Sequence, residues 1–182
     1  MKELSLNILD ITENSVKAGA SLTEIKLSET KDTLTITITD DGLGMTDEVL
    51  KAVADPFYTT RTTRKVGMGI PLLKLEAEQT GGNLEISSKH ISNYPDSHGT
   101  VVKALFYKNH IDFTPLGDVV STITTLIQGH PDTDFLFIHI IEENEVSLDT
   151  RELREVLEGV PLNTYEVIKW IEENLKEQYE SI

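Results

Sequence analysis

The stretch Thr33-Leu34-Thr35-Ile36-Thr37-Ile38-Thr39-Asp40 alternates apolar and hydroxyl side chains without a break. Successive side chains on a strand point to opposite faces, so one face carries Leu34, Ile36 and Ile38 and the other carries the threonines. Such a face has to be covered by a second layer. Asp40 has the parity of Leu34, Ile36 and Ile38 and is therefore aimed inward. A carboxylate at the end of a buried face needs hydrogen-bond donors.

The pattern around this strand predicts an opening helix over about residues 3–18, stopped by Gly19, and a strand near residues 23–28. A short helix over about 46–54 leads through Asp55-Pro56 into a Thr- and Arg-rich loop. A further helix runs from the Gly67-Met68-Gly69 turn to about Gln79 and is broken by Gly81-Gly82. Strands near 83–88 and 100–107 follow. These elements predict an α+β fold, a two-layer α/β sandwich with its helices on one sheet face.

Composition changes near Pro115. Residues 1–114 hold 12 basic and 16 acidic side chains (−4), whereas residues 115–182 hold 4 and 15 (−11). Two units are therefore expected, 1–114 and 115–182, the second a small C-terminal α+β subdomain. Its first helix carries Leu116, Val119, Val120, Ile123 and Ile127 at helical spacing. A strand over Phe135–Ile141 and a short partner near Val146–Leu148 come next. Asp149 with Glu152, and Asn163 with Glu166, read as capping boxes for two more helices. The last of these keeps Ile168, Trp170, Ile171 and Leu175, so the subdomain is expected to fold against the sandwich.

The formal net charge of −15 argues against a general nucleic-acid binder, which needs a basic surface. No run approaches the roughly 18 apolar residues of a membrane helix, and Met1-Lys2-Glu3 opens no signal peptide. A soluble, cytoplasmic protein is the expectation, with no membrane and no nucleic acid among its partners. With no cysteine in the chain, disulfides, thiolate catalysis and cysteine-bound metal are excluded.

Four groups of residues carry potential chemistry. On the opening helix Asp10, Glu13, Asn14 and Lys17 share a face. Either this is the solvated side of an amphipathic helix, or Asn14 holds a magnesium ion, Asp10 activates a nucleophile and Lys17 neutralises phosphate. Asp40 opens Asp40-Asp41-Gly42-Leu43-Gly44-Met45. Its carboxylate suits an exocyclic amine such as that of adenine, and Gly42 and Gly44 let backbone approach a flat base; a polar turn ending a strand is the other reading. Gly67-Met68-Gly69 at a helix start, preceded by Arg61, Arg64 and Lys65, presents N–H groups and cations to a triphosphate, or is a surface loop. Thr100, after Gly99, either assists Asp40 or is a plain strand former.

Together these motifs resemble the ATP-binding domain of the GHKL superfamily, the group that contains DNA gyrase, mismatch-repair ATPases, histidine kinases and anti-sigma-factor kinases. LDITENSVKAGA at 9–20 is similar to the N box, DDGLGM at 40–45 to the first glycine box, DPFYTTR at 55–61 to the F box, and KVGMGI at 65–70 to the second glycine box. GGNLEISS at 81–88 and Gly99-Thr100 match the closing strands of the histidine-kinase branch. The resemblance covers about residues 3–107 and implies a Bergerat-type fold that binds ATP and Mg2+.

Residue by residue, the resemblance implies Asn14 as the magnesium ligand, Lys17 as a phosphate contact and Asp40 as the adenine anchor. Gly42, Gly44 and Met45 would line the base. Arg61, Lys65, Gly67, Met68 and Gly69 would meet the triphosphate, and Thr100 would join the adenine contact. Lys17 is the histidine-kinase choice. Asp10 stands where the family often has a Glu base, and Lys65 where many members have a glycine. A displacement of about 1 Å can cost roughly 100-fold in rate, so Asp10 puts binding ahead of turnover. No phosphoacceptor hairpin precedes the N box, which makes phosphoryl transfer to a partner in trans the expectation, by a protein kinase or ATPase of this type. The alternatives are an anti-sigma-factor-type Ser/Thr kinase and a non-catalytic ATP-dependent switch. A partner with a basic surface suits residues 115–182, and a homodimer stays open.

Overall fold

A computed structural model describes residues 3–54 and 69–182. The elements run α1 (Leu4–Lys17), β1 (Leu22–Glu29), β2 (Thr33–Asp40), α2 (Asp47–Ala54), α3 (Gly69–Gln79), β3 (Asn83–Lys89) and β4 (Gly99–Tyr107). They continue with α4 (Val119–Gly129), β5 (Asp134–Ile141), β6 (Asn144–Asp149), α5 (Thr150–Leu157) and α6 (Tyr165–Glu180). The mixed α+β architecture is the one the pattern implies.

All six strands form one sheet in the order β3-β4-β2-β1-β5-β6. β1 and β5 are parallel, and the other neighbours are antiparallel. Alternation decides the faces, as expected: Ile25 and Leu27, Leu34, Ile36 and Ile38, Val102, Ala104 and Phe106, and Phe135 and Phe137 are all buried inward. Over them pack Leu4, Ile8 and Ile11 of α1, Leu73 and Ala77 of α3, Ile123 and Ile127 of α4, and Ile171 and Leu175 of α6.

Residues beyond 114 extend this same sheet. β5 pairs with β1 along its whole length, Leu22 against Asp134 through Glu29 against Ile141. The connecting segment is fastened to the start of α1, where the N–H groups of Leu4 and Ser5 donate to the Pro115 and Leu116 carbonyls at 2.9 and 2.8 Å. At the end of the sheet away from Asp40 a polar clasp adds to this. Glu29 pairs with Lys108 at 2.6 Å and meets His139 Nε2 at 3.1 Å, while His139 Nδ1 meets the Tyr179 hydroxyl at 2.7 Å. Burial pushes the imidazole below its usual range, although the Glu29 charge works the other way. Burial, helped by Glu29, pushes the phenol up. The neutral ring must donate from Nε2, since a carboxylate only accepts, so Tyr179 donates to Nδ1.

The capping boxes fare differently. Asp149 caps α5, accepting the Arg151 N–H at 2.9 Å and binding the Arg151 guanidinium at 2.9 and 2.6 Å. The box at Asn163 does not form. Thr164 takes the N-cap of α6 with no side-chain cap bond, and its hydroxyl turns back to donate to the Pro161 carbonyl at 2.7 Å. Among the described residues no helix is long and apolar enough to cross a membrane.

Because Phe137 fills the core shared by β1 and β5, Phe137→Ala is expected to cost about 3–5 kcal/mol. Chemical denaturation followed by far-UV circular dichroism and by Trp170 fluorescence should show one coincident transition moved to lower denaturant. Two separated transitions would mean that the two halves unfold independently.

Candidate functional site

Neighbouring strands end in inward polar side chains, and the register sets these side by side. Asp40 lies opposite Thr23 of β1 and Thr100 of β4, and Thr100 lies opposite Ser88 of β3. Asp40 Oδ2 accepts the Ser15 hydroxyl from α1 at 2.7 Å, and Oδ1 accepts the Gly42 N–H at 2.9 Å. A carboxylate has about four lone-pair positions, so acceptor capacity remains on both oxygens. The Ser88 hydroxyl donates to the Gly99 carbonyl at 3.1 Å, accepts the Met45 N–H at 2.7 Å and meets the Thr100 hydroxyl at 2.8 Å. With the single Ser88 proton committed to Gly99, Thr100 is the donor of that last pair.

The loop after Asp40 is fixed on several sides. Leu43 N–H donates to the Ala18 carbonyl at the end of α1, and Ile91 N–H to the Leu43 carbonyl, both at 2.9 Å. His98 Nδ1 donates to the Gly42 carbonyl at 2.6 Å. Gly44 has φ +70°, and a Cβ there would sit 2.0 Å from the Lys89 carbonyl oxygen. A glycine is therefore required at this crossing. The two adjacent acids diverge. Asp41 turns away to accept the N–H groups of Ser21 and Leu22 at 2.8 and 2.9 Å, along with the Ser21 hydroxyl. Partial burial opposes its ionisation, but these donors outweigh it and hold the carboxyl below its ordinary value.

Between α1, α2, α3 and the sheet lies a cavity of about 250 Å³. Ile11, Val53, Ile70 and Val102 are its apolar walls, and Asn14, Lys17, Asp40, Gly44, Met45 and Thr100 also line it. Of the expected site residues, these six come together around one space. Gly42 stands behind the Asp40 carboxylate and supplies a donor to it. Asp10 of α1 faces the start of α3, where a Cβ on Gly69 would be 3.0 Å from Asp10 Cβ. Glu13, on the same helix, is turned to His130 at 2.7 Å. Arg61, Lys65, Gly67 and Met68, with Arg64 and the DPFYTTR motif, lie outside the described residues.

Ser15 and Ser88 were not singled out by sequence, yet they hold the two central groups. Each carried a signal: Ser15 follows Ile8 and Ile11 on an apolar helix stripe, and Ser88 follows Leu84 and Ile86 at inward parity. The donor set suits a nucleotide. The cavity's apolar walls could take the faces of a base, its fixed acceptor could meet an exocyclic amine, and a lysine stands at the side. Magnesium takes few protein oxygens alongside water and phosphate, so the Asn14 amide oxygen would be a sufficient protein ligand for it.

A family model described as "Histidine kinase-, DNA gyrase B-, and HSP90-like ATPase" matches residues 2–111. The chain belongs to this ATPase family. Curated relatives of this chain include Sensor protein KdpD of Clostridium acetobutylicum, 29% identical over 94 residues that make up 49% of this chain and 10% of the relative. Sporulation kinase C of Bacillus subtilis is 29% identical over 89 residues, 49% of this chain and 20% of that kinase. The matched segment thus spans a tenth to a fifth of these relatives. Among solved structures, the Aquifex aeolicus MutL ATPase domain complexed with ADP superposes with TM-score 0.55 at 16% identity, covering 87% of this chain and 70% of that one. The fold likeness therefore extends past residue 111 into the C-terminal strands and helices.

Asp41 gives a pH test of how the site is anchored. Its folded pKa is depressed, so its contribution to stability is present above the unfolded value of about 3.9 and is lost as pH falls through the lower folded value. Asp41→Asn should unfold at lower denaturant than the parent at pH 7, and the gap should close below about pH 4. A gap that persists in acid would show that the carboxylate charge is not what fastens β1.

Proposed function

We propose that this ATPase-family protein binds Mg–ATP in the Asp40 cavity and passes the γ-phosphoryl group to a protein partner in trans, or regulates that partner. One observation carries the reading: a carboxylate fixed by Ser15 and Gly42 shares a single cavity with Thr100, Asn14 and Lys17. Asp40 accepts the exocyclic amine of adenine, Thr100 assists, and Gly44 and Met45 bound the base. Asn14 holds Mg2+, whose charge would offset that of the phosphates. Lys17 neutralises phosphate, as do Arg61 and Lys65, and Gly67, Met68 and Gly69 offer backbone N–H groups. Asp10 takes the proton of the acceptor as its oxygen or nitrogen bonds to phosphorus and the bond to ADP breaks. The partner meets the acidic residues 115–182 with a basic surface, in the cytoplasm.

A second reading rests on Asp10 itself. It is one methylene shorter than the Glu often found at this position and packs against Gly69. Under that reading ATP closes the protein into a state that the partner recognises, with little turnover. An anti-sigma-factor-type Ser/Thr kinase differs from the first reading only in the acceptor.

Asp40→Asn places an amide N–H₂ where an acceptor is needed, so ATP affinity measured by calorimetry should fall at least about tenfold with the fold intact. Unchanged affinity would overturn the nucleotide assignment. Lys17→Ala, Arg61→Ala and Lys65→Ala should weaken ATP more than adenosine; equal losses would argue against phosphate contact. ADP release with candidate partners separates the two readings, since binding without release leaves only the switch.

A further inference from the structure

A larger cavity, about 370 Å³, opens at the β6 edge of the sheet. Its floor is Leu136 and Ile138 on the solvent side of β5, with Leu153 of α5 beside them. In the same rows of that sheet face β1 carries Glu24 and Lys26, so the apolar floor is a local departure from a polar surface. Trp170 of α6 forms one wall and is 50% exposed; Val156 of α5 is 80% exposed. Isolated apolar residues on a surface need no explanation, but a concave group of them does.

The charge around this groove is unbalanced in one direction. All four cations of residues 115–182 are committed: Arg151 to Asp149, Arg154 to Asp134, Lys169 to Glu173 and Lys176 to Glu172. Glu145 and Glu152 are exposed and line the groove, and neither is the partner of any of these four cations, although Glu152 lies within the field of Arg151. Strand addition at this edge is blocked at its centre. The Gln178 amide accepts the Ser147 N–H at 2.9 Å and donates to the Ser147 carbonyl at 3.0 Å, and it is braced on Asn174 at 2.8 Å. A partner therefore enters by a side chain.

An apolar floor, an indole wall and two exposed carboxylates match the needs of an arginine. Its methylene stem buries, and its guanidinium stacks on an aromatic face while pairing with carboxylates. We propose that this groove receives an arginine side chain from a basic segment of a partner protein, held by Glu145, Glu152 and the Trp170 ring. The assignment deepens the partner reading above, and nucleotide occupancy plays no part in it.

Trp170 is the only tryptophan, so its emission reads the groove directly. The full chain, without ATP, is titrated with an amphipathic Arg–Leu peptide and with the same peptide carrying norleucine in place of arginine. The arginine peptide should shift Trp170 emission saturably and the norleucine peptide should not. Glu145→Gln combined with Glu152→Gln should weaken binding about tenfold, whereas Glu155→Gln combined with Glu158→Gln, outside the groove, should leave it unchanged. No saturable shift, or equal weakening by both pairs, overturns the proposal; the second result would mean a general response to net charge. ATP titration of the same variants keeps the readings apart. Peptide binding without ATP binding would refute the nucleotide assignment alone, and the converse would refute the groove alone.

Discussion

A carboxylate pointing into a protein is tolerated only when its surroundings supply donors, and the surroundings of Asp40 are built to that requirement. Its donors come from α1 through Ser15 and from the glycine loop through Gly42. Satisfying it therefore fixes where α1 ends and how the chain leaves β2. The same row of the sheet brings in Thr100 and, behind it, Ser88, which holds Met45 by its backbone. One half-buried acid thus orders three strands, a helix and a loop around a single cavity. Replacing that row with apolar side chains would remove the demand for donors, and with it the reason for this arrangement.

Strand β1 is the hinge of the whole architecture. On one side it pairs with β2, which carries Asp40, and on the other it pairs with β5 of the acidic segment. Its first residues are fastened by Asp41, and Glu29 at its end enters the clasp with Lys108, His139 and Tyr179. The nucleotide-type site and the acidic segment with its open groove are therefore borne by one continuous sheet.

Much of this was legible in the sequence because strand parity is unambiguous. Leu34, Ile36 and Ile38 announced both their face and the inward aim of Asp40. The need for glycine at position 44 has a source the sequence did not show, since a Cβ there would meet the Lys89 carbonyl. What was not legible is long range. Nothing local to Ser15 says that a carboxylate 25 residues later will need its hydroxyl, and nothing in residues 134–141 says that they pair in parallel with residues 22–29. The change of charge near Pro115 is real as composition, but hydrogen bonding across a sheet does not register net charge. Asn163 is a local miss of another kind, since the helix begins one residue later and Thr164 takes the N-cap position.

The parallel pairing of β1 with β5 has a consequence for handling the nucleotide-type half alone. Cutting the chain after residue 114 would leave β1 as an open edge eight residues long, its backbone groups unpaired on one side. Ile25 and Leu27 would lose their neighbours Phe137 and His139, and the helix layer would lose α4 and α6. A long, partly apolar edge is a template for adding further strands. The acidic segment therefore also protects its neighbour against self-association, independently of any partner it binds.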